Sequence, residues 1–219
     1  MCGRFTLTHP PEQWPVSIDH NLLPGFTPRY NIAPSQHIAV LVHSGEGTQV
    51  RPMQWGFVPH WVHDDKPKMA PINARIETAA EKPMFRKAMA EHHCLVPASG
   101  FYEWQATGSN KQPWYIHPAD AGVFLFAGVY SRWQHGGQVT DTVALLTTAA
   151  RDNMTTIHDR MPVRVKPTHA NDWLAGAPNE GDWQDASPML THRIGTRVNS
   201  PRNDDPSLIT PPEPRHQTP

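Results

Sequence analysis

Short apolar runs recur along the chain and alternate with polar and turn-forming residues. Their β-branched and aromatic content is typical of strands. The runs that predict strands are Ile38 to Val42, Cys94 to Val96, Pro113 to Ile116, Val123 to Tyr130, Thr142 to Thr148 and Pro162 to Val165. Proline accounts for 24 residues, and it favours short elements joined by rigid turns because it fixes φ and lacks an N–H donor. Strands should therefore outnumber helices.

Helical periodicity is clearest from Ile76 to Glu91. The segment Thr78 to Glu81 resembles a capping box. Pro83 would then lie inside the helix, which favours a start nearer Lys82. One apolar face of this predicted helix is formed by Met84, Phe85, Ala88 and Met89.

Two shorter helices are predicted, from Pro11 to Asn21 and from Thr168 to Leu174. A majority of strands with few helices favours an α+β fold with a curled, largely antiparallel sheet. No internal repeat is visible, and we expect residues 1–209 to form a single domain. The tail at 210–219 is rich in proline and polar residues, so we expect it to be disordered.

The composition is ordinary for a soluble globular protein, with 219 residues, 38% hydrophobic and 18% charged. No stretch approaches the ~18 consecutive apolar residues of a membrane helix, and the first residues lack the layout of a secretory signal. We therefore expect an intracellular, cytoplasmic protein. The formal net charge of -1 neither predicts nor excludes nucleic-acid binding, because a few well-placed arginines suffice for phosphate contacts.

The two cysteines are Cys2 and Cys94, and an intracellular setting favours free thiols. Cys94 lies at the start of a predicted buried strand, which favours core packing. Its neighbours His92 and His93 raise the alternative of a metal site, but adjacent strand residues point to opposite faces. No zinc-binding spacing of cysteines or histidines is present. We predict that the protein uses neither a metal nor an organic cofactor.

Cys2 would become the N-terminal residue once Met1 is removed, a step that cells perform when the second side chain is small. An α-amine titrates near ~7.7 to 8.0 and a thiol near ~8.5, so a useful fraction of each is nucleophilic at neutral pH. An aldehyde can form a Schiff base with the amine, after which the thiol closes a thiazolidine ring. The competing interpretation is a cysteine that happens to lie in a buried first strand, and position alone favours that interpretation.

Several blocks, read together, resemble one family. They begin with MCGRF at the N-terminus and continue with RYNIAP at 29–34, WGFVP at 55–59, INARIET at 72–78, GFYEW at 100–104, KQP at 111–113 and IHDRMP at 157–162. The chain resembles the SOS-response-associated peptidase family, the abasic-site processing proteins that crosslink to single-stranded DNA. The resemblance runs from residue 2 to about Asn199. Ser99 departs from it, since an acidic residue is expected before GFYEW.

The resemblance implies a barrel-like curved sheet with a few flanking helices and a catalytic set of Cys2, Asn73, Glu103 and His158. Cys2 would capture the ring-opened aldehyde of an abasic site, and Glu103 would move protons. Aromatic neighbours suggest partial burial of Glu103, which would raise its pKa. His158 would assist ring opening or reversal, and Asn73 would orient the adduct. The ordinary alternatives are a surface carboxylate, a structural histidine and an asparagine that satisfies a turn.

Arginines in the matched blocks imply contacts with DNA phosphates. Arg75 and Arg160 fit as phosphate clamps, with Arg4 as a further candidate, because a guanidinium matches phosphate oxygens in pairs. The alternative for each is a surface salt bridge, and for Arg4 the two interpretations carry equal weight.

Tryptophans are candidates for contacts with bases. Trp104, Trp55 and Trp61 could stack on or wedge between bases, a contact worth ~1 to 3 kcal/mol per base in single-strand binders. Core packing is the favoured interpretation for Trp55. The expected partner is single-stranded DNA that contains abasic sites, either in a plain strand or at a junction with duplex, and we expect a monomer.

Two other functions remain open at this point. A thiol peptidase or autopeptidase would use Cys2, Glu103 and His158, and it would hydrolyse an added peptide or remove the residue ahead of Cys2. A passive DNA-binding module would leave no covalent product after denaturation.

Overall fold

The computed structural model describes residues 2–18, 25–45, 47–64, 67, 69–176 and 182–212. These residues form twelve strands and three α-helices, with several short 3-10 turns between them. The strands are β1 (Arg4–Leu7), β2 (Arg29–Ile32), β3 (His37–Ser44), β4 (Gly47–Trp55), β5 (Asn73–Arg75), β6 (His93–Ala98), β7 (Gly100–Thr107), β8 (Asn110–Pro118), β9 (Phe124–His135), β10 (Gln138–Ala149), β11 (Arg160–Pro162) and β12 (Met189–Arg193). The helices are α1 (Ile76–Ala79), α2 (Pro83–Glu91) and α3 (Ala170–Leu174).

Five strands close into a barrel. The order is β10-β4-β3-β6-β9, and β9 pairs with β10 again to complete the ring. All of these pairings are antiparallel except that of β4 with β10. Closure pairs both edges of each strand. The predicted α+β fold, with its curved and largely antiparallel sheet forming a barrel-like core, is confirmed.

A second sheet, in the order β12-β8-β7-β1-β2, lies beside the barrel and carries the beginning of the chain. In it, β1 pairs antiparallel with β7, with Phe5 opposite Phe101. The ring of Phe5 packs edge-on against Trp55 of the barrel strand β4, with 5.3 Å between ring centroids. The two sheets therefore share one hydrophobic core, and this core fixes the N-terminal segment against the barrel.

Most of the predicted strands are confirmed. The runs that begin at Ile38, Cys94, Pro113, Val123 and Thr142 correspond to β3, β6, β8, β9 and β10. The strand predicted from Pro162 to Val165 is wrong, because β11 covers Arg160–Pro162 and the residues at 164 and 165 form only isolated bridges. At this point the chain leaves β10 and bonds to β9 instead, since Val165 donates its N–H to the Leu125 carbonyl at 2.8 Å.

The long helix predicted from Ile76 to Glu91 is two helices, α1 and α2. Its predicted start near Lys82 is confirmed for α2, because Lys82 is extended (φ -73, ψ 126) and Pro83 is the first helical residue. The predicted capping box is wrong, since Thr78 lies inside α1 and neither helix has a side-chain cap. The predicted apolar face is confirmed. Phe85 and Ala88 are buried in the core, and Met84 and Met89 are partly buried and pack against it.

The helix predicted from Pro11 is wrong, because only a 3-10 turn forms at Pro11–Gln13. Trp14 precedes Pro15 and is extended (ψ 143), as steric contact with the proline ring requires; positions 19–21 lie outside the described residues. The helix predicted to end at Leu174 begins as a 3-10 turn and becomes α3. Positions 213–219 of the predicted tail also lie outside the described residues, so the tail and the domain boundary stay predictions. In the described ranges, no helix has the length and apolar character needed to cross a membrane.

Candidate active site at the N-terminal cysteine

Cys2 lies two residues ahead of β1 and is 0% exposed. Its backbone carbonyl accepts a hydrogen bond from Asn73 Nδ2 at 2.9 Å. Asn73 is delivered by the barrel, because β5 pairs in parallel with β10 and places Asn73 opposite Leu145. The Oδ1 atom of Asn73 is buried and has no hydrogen-bond partner among the described residues. The barrel therefore holds the backbone of Cys2 and leaves one buried acceptor beside it.

Glu103 lies on β7 and is 2% exposed. Burial raises the pKa of this carboxyl, and the nearby charge of His158 acts in the opposite direction. The predicted burial and raised pKa of Glu103 are thus confirmed. The β1–β7 register explains why Glu103 lies near Cys2. Arg4 lies opposite Tyr102, so the next position of this antiparallel ladder places Gly3, the neighbour of Cys2, opposite Glu103. This pairing brings a carboxyl group whose protonated form burial favours to the candidate nucleophile.

The Cys2 thiol differs from the expectation for an exposed N-terminal cysteine. Burial raises the pKa of Cys2 above its usual range, and the negative charge of Glu103 raises it further. Its Sγ lies 3.7 Å from the Arg4 carbonyl oxygen, to which it donates a weak hydrogen bond. In the chain that still carries Met1, burial thus favours the neutral thiol, and the expectation for the processed N-terminal cysteine stays a prediction.

His158 follows the 3-10 turn Asp152–Thr156, and its ring is held through Nδ1. The backbone N–H of Arg160 lies 2.9 Å from Nδ1, and a carboxylate oxygen of Asp159 lies 2.8 Å from the same atom. When Nδ1 carries a proton it donates to Asp159, and when it does not it accepts from Arg160. Nδ1 thus has a partner both as a donor and as an acceptor, and these two contacts orient the ring.

The three candidate arginines have different surroundings. Arg160 forms a bidentate ion pair with Glu77, with N–O distances of 2.9 and 2.8 Å, and it also donates to the Thr147 carbonyl. This is the ion pair that the alternative interpretation described. Arg75 is exposed, and its side chain makes no hydrogen bond or ion pair with any residue that the structure describes.

Arg4 ties the first strand to a segment near the C-terminus. Its guanidinium donates to Asn31 Oδ1 at 2.9 Å, to the Val198 carbonyl at 2.8 Å and to the Asn199 carbonyl at 3.2 Å. All three acceptors are uncharged, so these contacts are hydrogen bonds and not a salt bridge with an acidic side chain. Through them, Arg4 links β1 to β2 and to the segment at 198–199.

The three tryptophans also differ. Trp55 is fully buried and donates from Nε1 to the Ile72 carbonyl at 2.9 Å, which confirms core packing. Trp104 is partly buried and donates to Asn199 Oδ1 at 2.8 Å. Trp61 is 52% exposed. Among these three, Trp61 presents the largest free surface for a base.

The sequence-based reasoning missed the role of the C-terminal segment that covers β1 and β2. Asn31 Nδ2 lies within hydrogen-bond distance of the carbonyls of Val198, Ser200 and Asn203. Asp204 accepts hydrogen bonds from the backbone N–H of Asn31 and from Arg29. The RYNIAP block contained this asparagine, but nothing local indicates a partner more than 160 residues away.

Ser99, the departure from the family pattern, is buried at the start of the GFYEW block. Its Oγ accepts from the backbone N–H of Thr8 at 2.9 Å and lies 2.8 Å from His9 Nδ1. The hydroxyl thus satisfies a buried backbone donor, as an acidic side chain would. Cys94, by contrast, is buried in the core as expected, and within the described ranges no group of three or more histidine, cysteine or acidic residues is placed to hold a metal ion.

Comparison with known proteins identifies the family and the fold. Residues 1–201 match the model of the SOS response associated peptidase (SRAP) family. Abasic site processing protein YoqW of Bacillus subtilis is 37% identical over 95% of this chain and 99% of that protein. Abasic site processing protein YedK of Escherichia coli is 29% identical over 96% of this chain and 100% of that protein.

Solved structures show the same fold. The crystal structure of a protein from Bacteroides thetaiotaomicron matches with a TM-score of 0.82 at 23% identity, over 96% of this chain and 100% of that chain. A phage-related protein from Bordetella bronchiseptica matches with a TM-score of 0.69 at 27% identity, over 88% of this chain and 94% of that chain. With its first 201 residues matched by the family model and the barrel in common, this chain belongs to the SOS response associated peptidase family.

Proposed function

We propose that this protein processes abasic sites in DNA, and that it does so by capturing the ring-opened aldehyde of the lesion on Cys2 after Met1 has been removed. Support comes from the family and from relatives that are named abasic site processing proteins. The observation that carries the proposal is the placement of Cys2, whose carbonyl is held by Asn73 at 2.9 Å beside the buried carboxyl group of Glu103.

The proposed reaction begins at the α-amine of processed Cys2. The amine nitrogen attacks the aldehyde carbon, and one of its protons passes to the aldehyde oxygen. The resulting hydroxyl group leaves as water with a proton from Glu103, and the Glu103 carboxylate then takes the second proton from the nitrogen. This gives an imine between the Cys2 nitrogen and the sugar carbon. The Cys2 sulfur then bonds to the imine carbon and its proton passes to the nitrogen, which closes a thiazolidine. No electrons are gained or lost overall, so the chemistry requires neither a metal nor an organic cofactor.

The proposal takes the burial that raises the pKa of the Cys2 thiol to persist after Met1 is removed. The amine then reacts first, and the thiol traps the imine. Burial also raises the pKa of Glu103 and so favours the protonated form that gives its proton to the departing hydroxyl group. The buried Oδ1 of Asn73, which has no partner in the described chain, is available to accept a hydrogen bond from the sugar hydroxyl or the new ring nitrogen.

In this proposal other residues contact the adduct and the DNA around it. His158 assists ring opening or reversal of the adduct, and Arg75, Arg160 and Arg4 lie at the flanking phosphates. Trp104 stacks on an adjacent base. The substrate is an abasic site in single-stranded DNA, alone or next to duplex, and the protein acts once per chain as a cytoplasmic monomer.

A turnover thiol peptidase or autopeptidase that uses Cys2, Glu103 and His158 is the alternative function. It predicts hydrolysis of added casein, whereas covalent capture predicts one DNA adduct per chain and no casein cleavage.

The first experiment is intact-mass measurement of the purified protein, followed by incubation with a single-stranded oligonucleotide that carries one abasic site. Loss of one methionine mass and a band that stays shifted after heating in denaturant are expected. The same oligonucleotide without the abasic site is the control for adventitious crosslinking. Trimmed protein that yields no shifted band overturns covalent capture, and a complex lost on denaturation indicates a passive binding module instead.

A further inference from the structure

Glu77 covers the guanidinium of Arg160 in the free protein. Both carboxylate oxygens are engaged, Oε1 with Nη1 at 2.9 Å and Oε2 with Nη2 at 2.8 Å. The remaining bond of Nη2 goes to the Thr147 carbonyl at 2.6 Å, and Nε is buried without a hydrogen-bond partner in the described chain. The edge of the guanidinium that points to solvent is thus fully occupied by one carboxylate.

The two partners are buried to very different extents. The Arg160 side chain is 12% exposed, whereas that of Glu77 is 45% exposed. Arg160 is fixed from within by β10, since its strand pairs with Thr147–Ala149. Within the described ranges, the Glu77 carboxylate accepts one further side-chain hydrogen bond, from Thr148 at 3.4 Å. If the pair opens, Glu77 is the side that moves.

We infer that Glu77 is a specificity-determining residue that occupies the phosphate-binding edge of Arg160 and must be displaced when DNA binds. A carboxylate and a phosphate offer a guanidinium the same pair of oxygens. The two anions therefore compete for one edge, and they cannot occupy it together. This inference rests on the proposed DNA-binding function.

The consequence is a threshold for binding. Arg75, two residues before Glu77 and exposed, is free to make the first phosphate contact, while Arg160 becomes available only when Glu77 leaves. Undamaged single strands gain little from opening the pair. A strand whose lesion is also held at Cys2 gains enough to displace the carboxylate. Glu77 therefore lowers the affinity for ordinary single-stranded DNA more than that for the abasic substrate.

The test compares Glu77→Gln with Glu81→Gln. Both variants remove one negative charge, and Glu81 is exposed nearby without a side-chain partner in the described chain. The probes are two fluorescent single-stranded oligonucleotides, one undamaged and one with a tetrahydrofuran residue in place of the abasic sugar. Neither has an aldehyde, so both report reversible binding, and the undamaged strand should show the larger effect of Glu77. We expect Glu77→Gln to bind about 3- to 10-fold more tightly than Glu81→Gln, and we expect this gain to vanish when Arg160→Ala is added.

A second readout follows the carboxyl group itself. The Arg160 ion pair holds the pKa of Glu77 at about 2 in the free protein. Displacement by DNA should raise it towards or above the ordinary value of 4.5, which carbon NMR of the side-chain carboxylate measures. A purely structural ion pair predicts no such change.

The outcomes separate this inference from the proposed function. Binding by Glu77→Gln no tighter than by Glu81→Gln, or a Glu77 carboxyl that titrates identically with and without DNA, overturns the inference. If the Glu77 effect is absent, the covalent assay with a true abasic site can still give a heat-stable adduct, so the proposed function stands. Conversely, reversible binding that shows the Glu77 effect without any heat-stable adduct overturns covalent capture alone, and absence of all DNA binding overturns both.

Discussion

The two cysteines are equally buried but have different polar neighbours. Both Cys2 and Cys94 are 0% exposed, and burial raises the pKa of each thiol. Cys94 lies opposite Gly128 in the β6–β9 ladder, and its pKa is raised by burial alone. Cys2 has the Asn73 amide on its carbonyl and feels the charge of Glu103. Burial disfavours the ionised thiol at both cysteines, so thiol ionisation does not distinguish them. We therefore expect the reactivity of Cys2 to come from its polar neighbours and from the α-amine that is freed when Met1 is removed.

Replacing the cysteines themselves gives the largest expected contrast. Cys2→Ser keeps the amine but offers a poorer nucleophile for the imine, so heat-stable adduct should fall at least about 100-fold, the scale on which a lost catalytic group acts. Cys94→Ala should leave adduct formation unchanged and cost about 1 kcal/mol of stability through the small cavity left behind. Denaturing gels and urea unfolding measure the two effects. Equal adduct yield from Cys2→Ser and the parent rules out the thiazolidine.

The acid beside Cys2 gives the next contrast. Glu103→Gln should slow adduct formation about 100-fold. It should also raise the unfolding free energy at pH 7 by about 0.5 to 2 kcal/mol, because burial disfavours the ionised form of a carboxyl group and an amide has no ionised form to bury. Single-turnover kinetics and thermal melts test both effects, and Glu81→Gln is the matched surface control. An unchanged rate removes Glu103 from the mechanism.

The same carboxyl group sets an expected pH dependence. Because the folded pKa of Glu103 is raised, its protonated form is favoured in the native state, and its contribution to stability is lost as pH rises from its unfolded pKa through the folded one. Adduct formation should fall on the alkaline side as the Glu103 proton is lost, and this limb should be missing in Glu103→Gln. A parent rate that only rises with pH contradicts the assignment.

The amide that holds Cys2 gives the smallest contrast. Asn73→Ala removes one hydrogen bond worth about 1 kcal/mol, and the rate of adduct formation should fall about 10-fold if the bond orients the Cys2 backbone. Gln112→Ala is the matched control, because Gln112 Nε2 also donates to backbone carbonyls, those of Pro113 and Ile194. It should lose comparable stability and keep its rate. Equal rates in both variants place Asn73 among the structural amides.

The local elements were largely predictable, and the errors have local causes. Runs such as Thr142 to Thr148 form strands because β-branched side chains suit a pleated, buried surface. The helix predicted from Pro11 fails because Pro15 forces Trp14 into an extended conformation. The capping-box pattern at Thr78 has the right residue types, but the chain begins α1 earlier, where β5 ends. Patterns of a few residues predict element type better than element boundaries.

The sequence by itself determined the strand-rich fold, the family and the reactive residue types, because periodicity and short motifs are properties of neighbouring residues. It did not determine that Cys2 is fully buried, that Arg160 is covered by Glu77, or that Arg4 bonds to the carbonyl of Val198, 194 residues away. Burial and pairing across such separations depend on how the barrel and the second sheet pack together. Desolvation and charge at the site are therefore properties that only the tertiary structure decided.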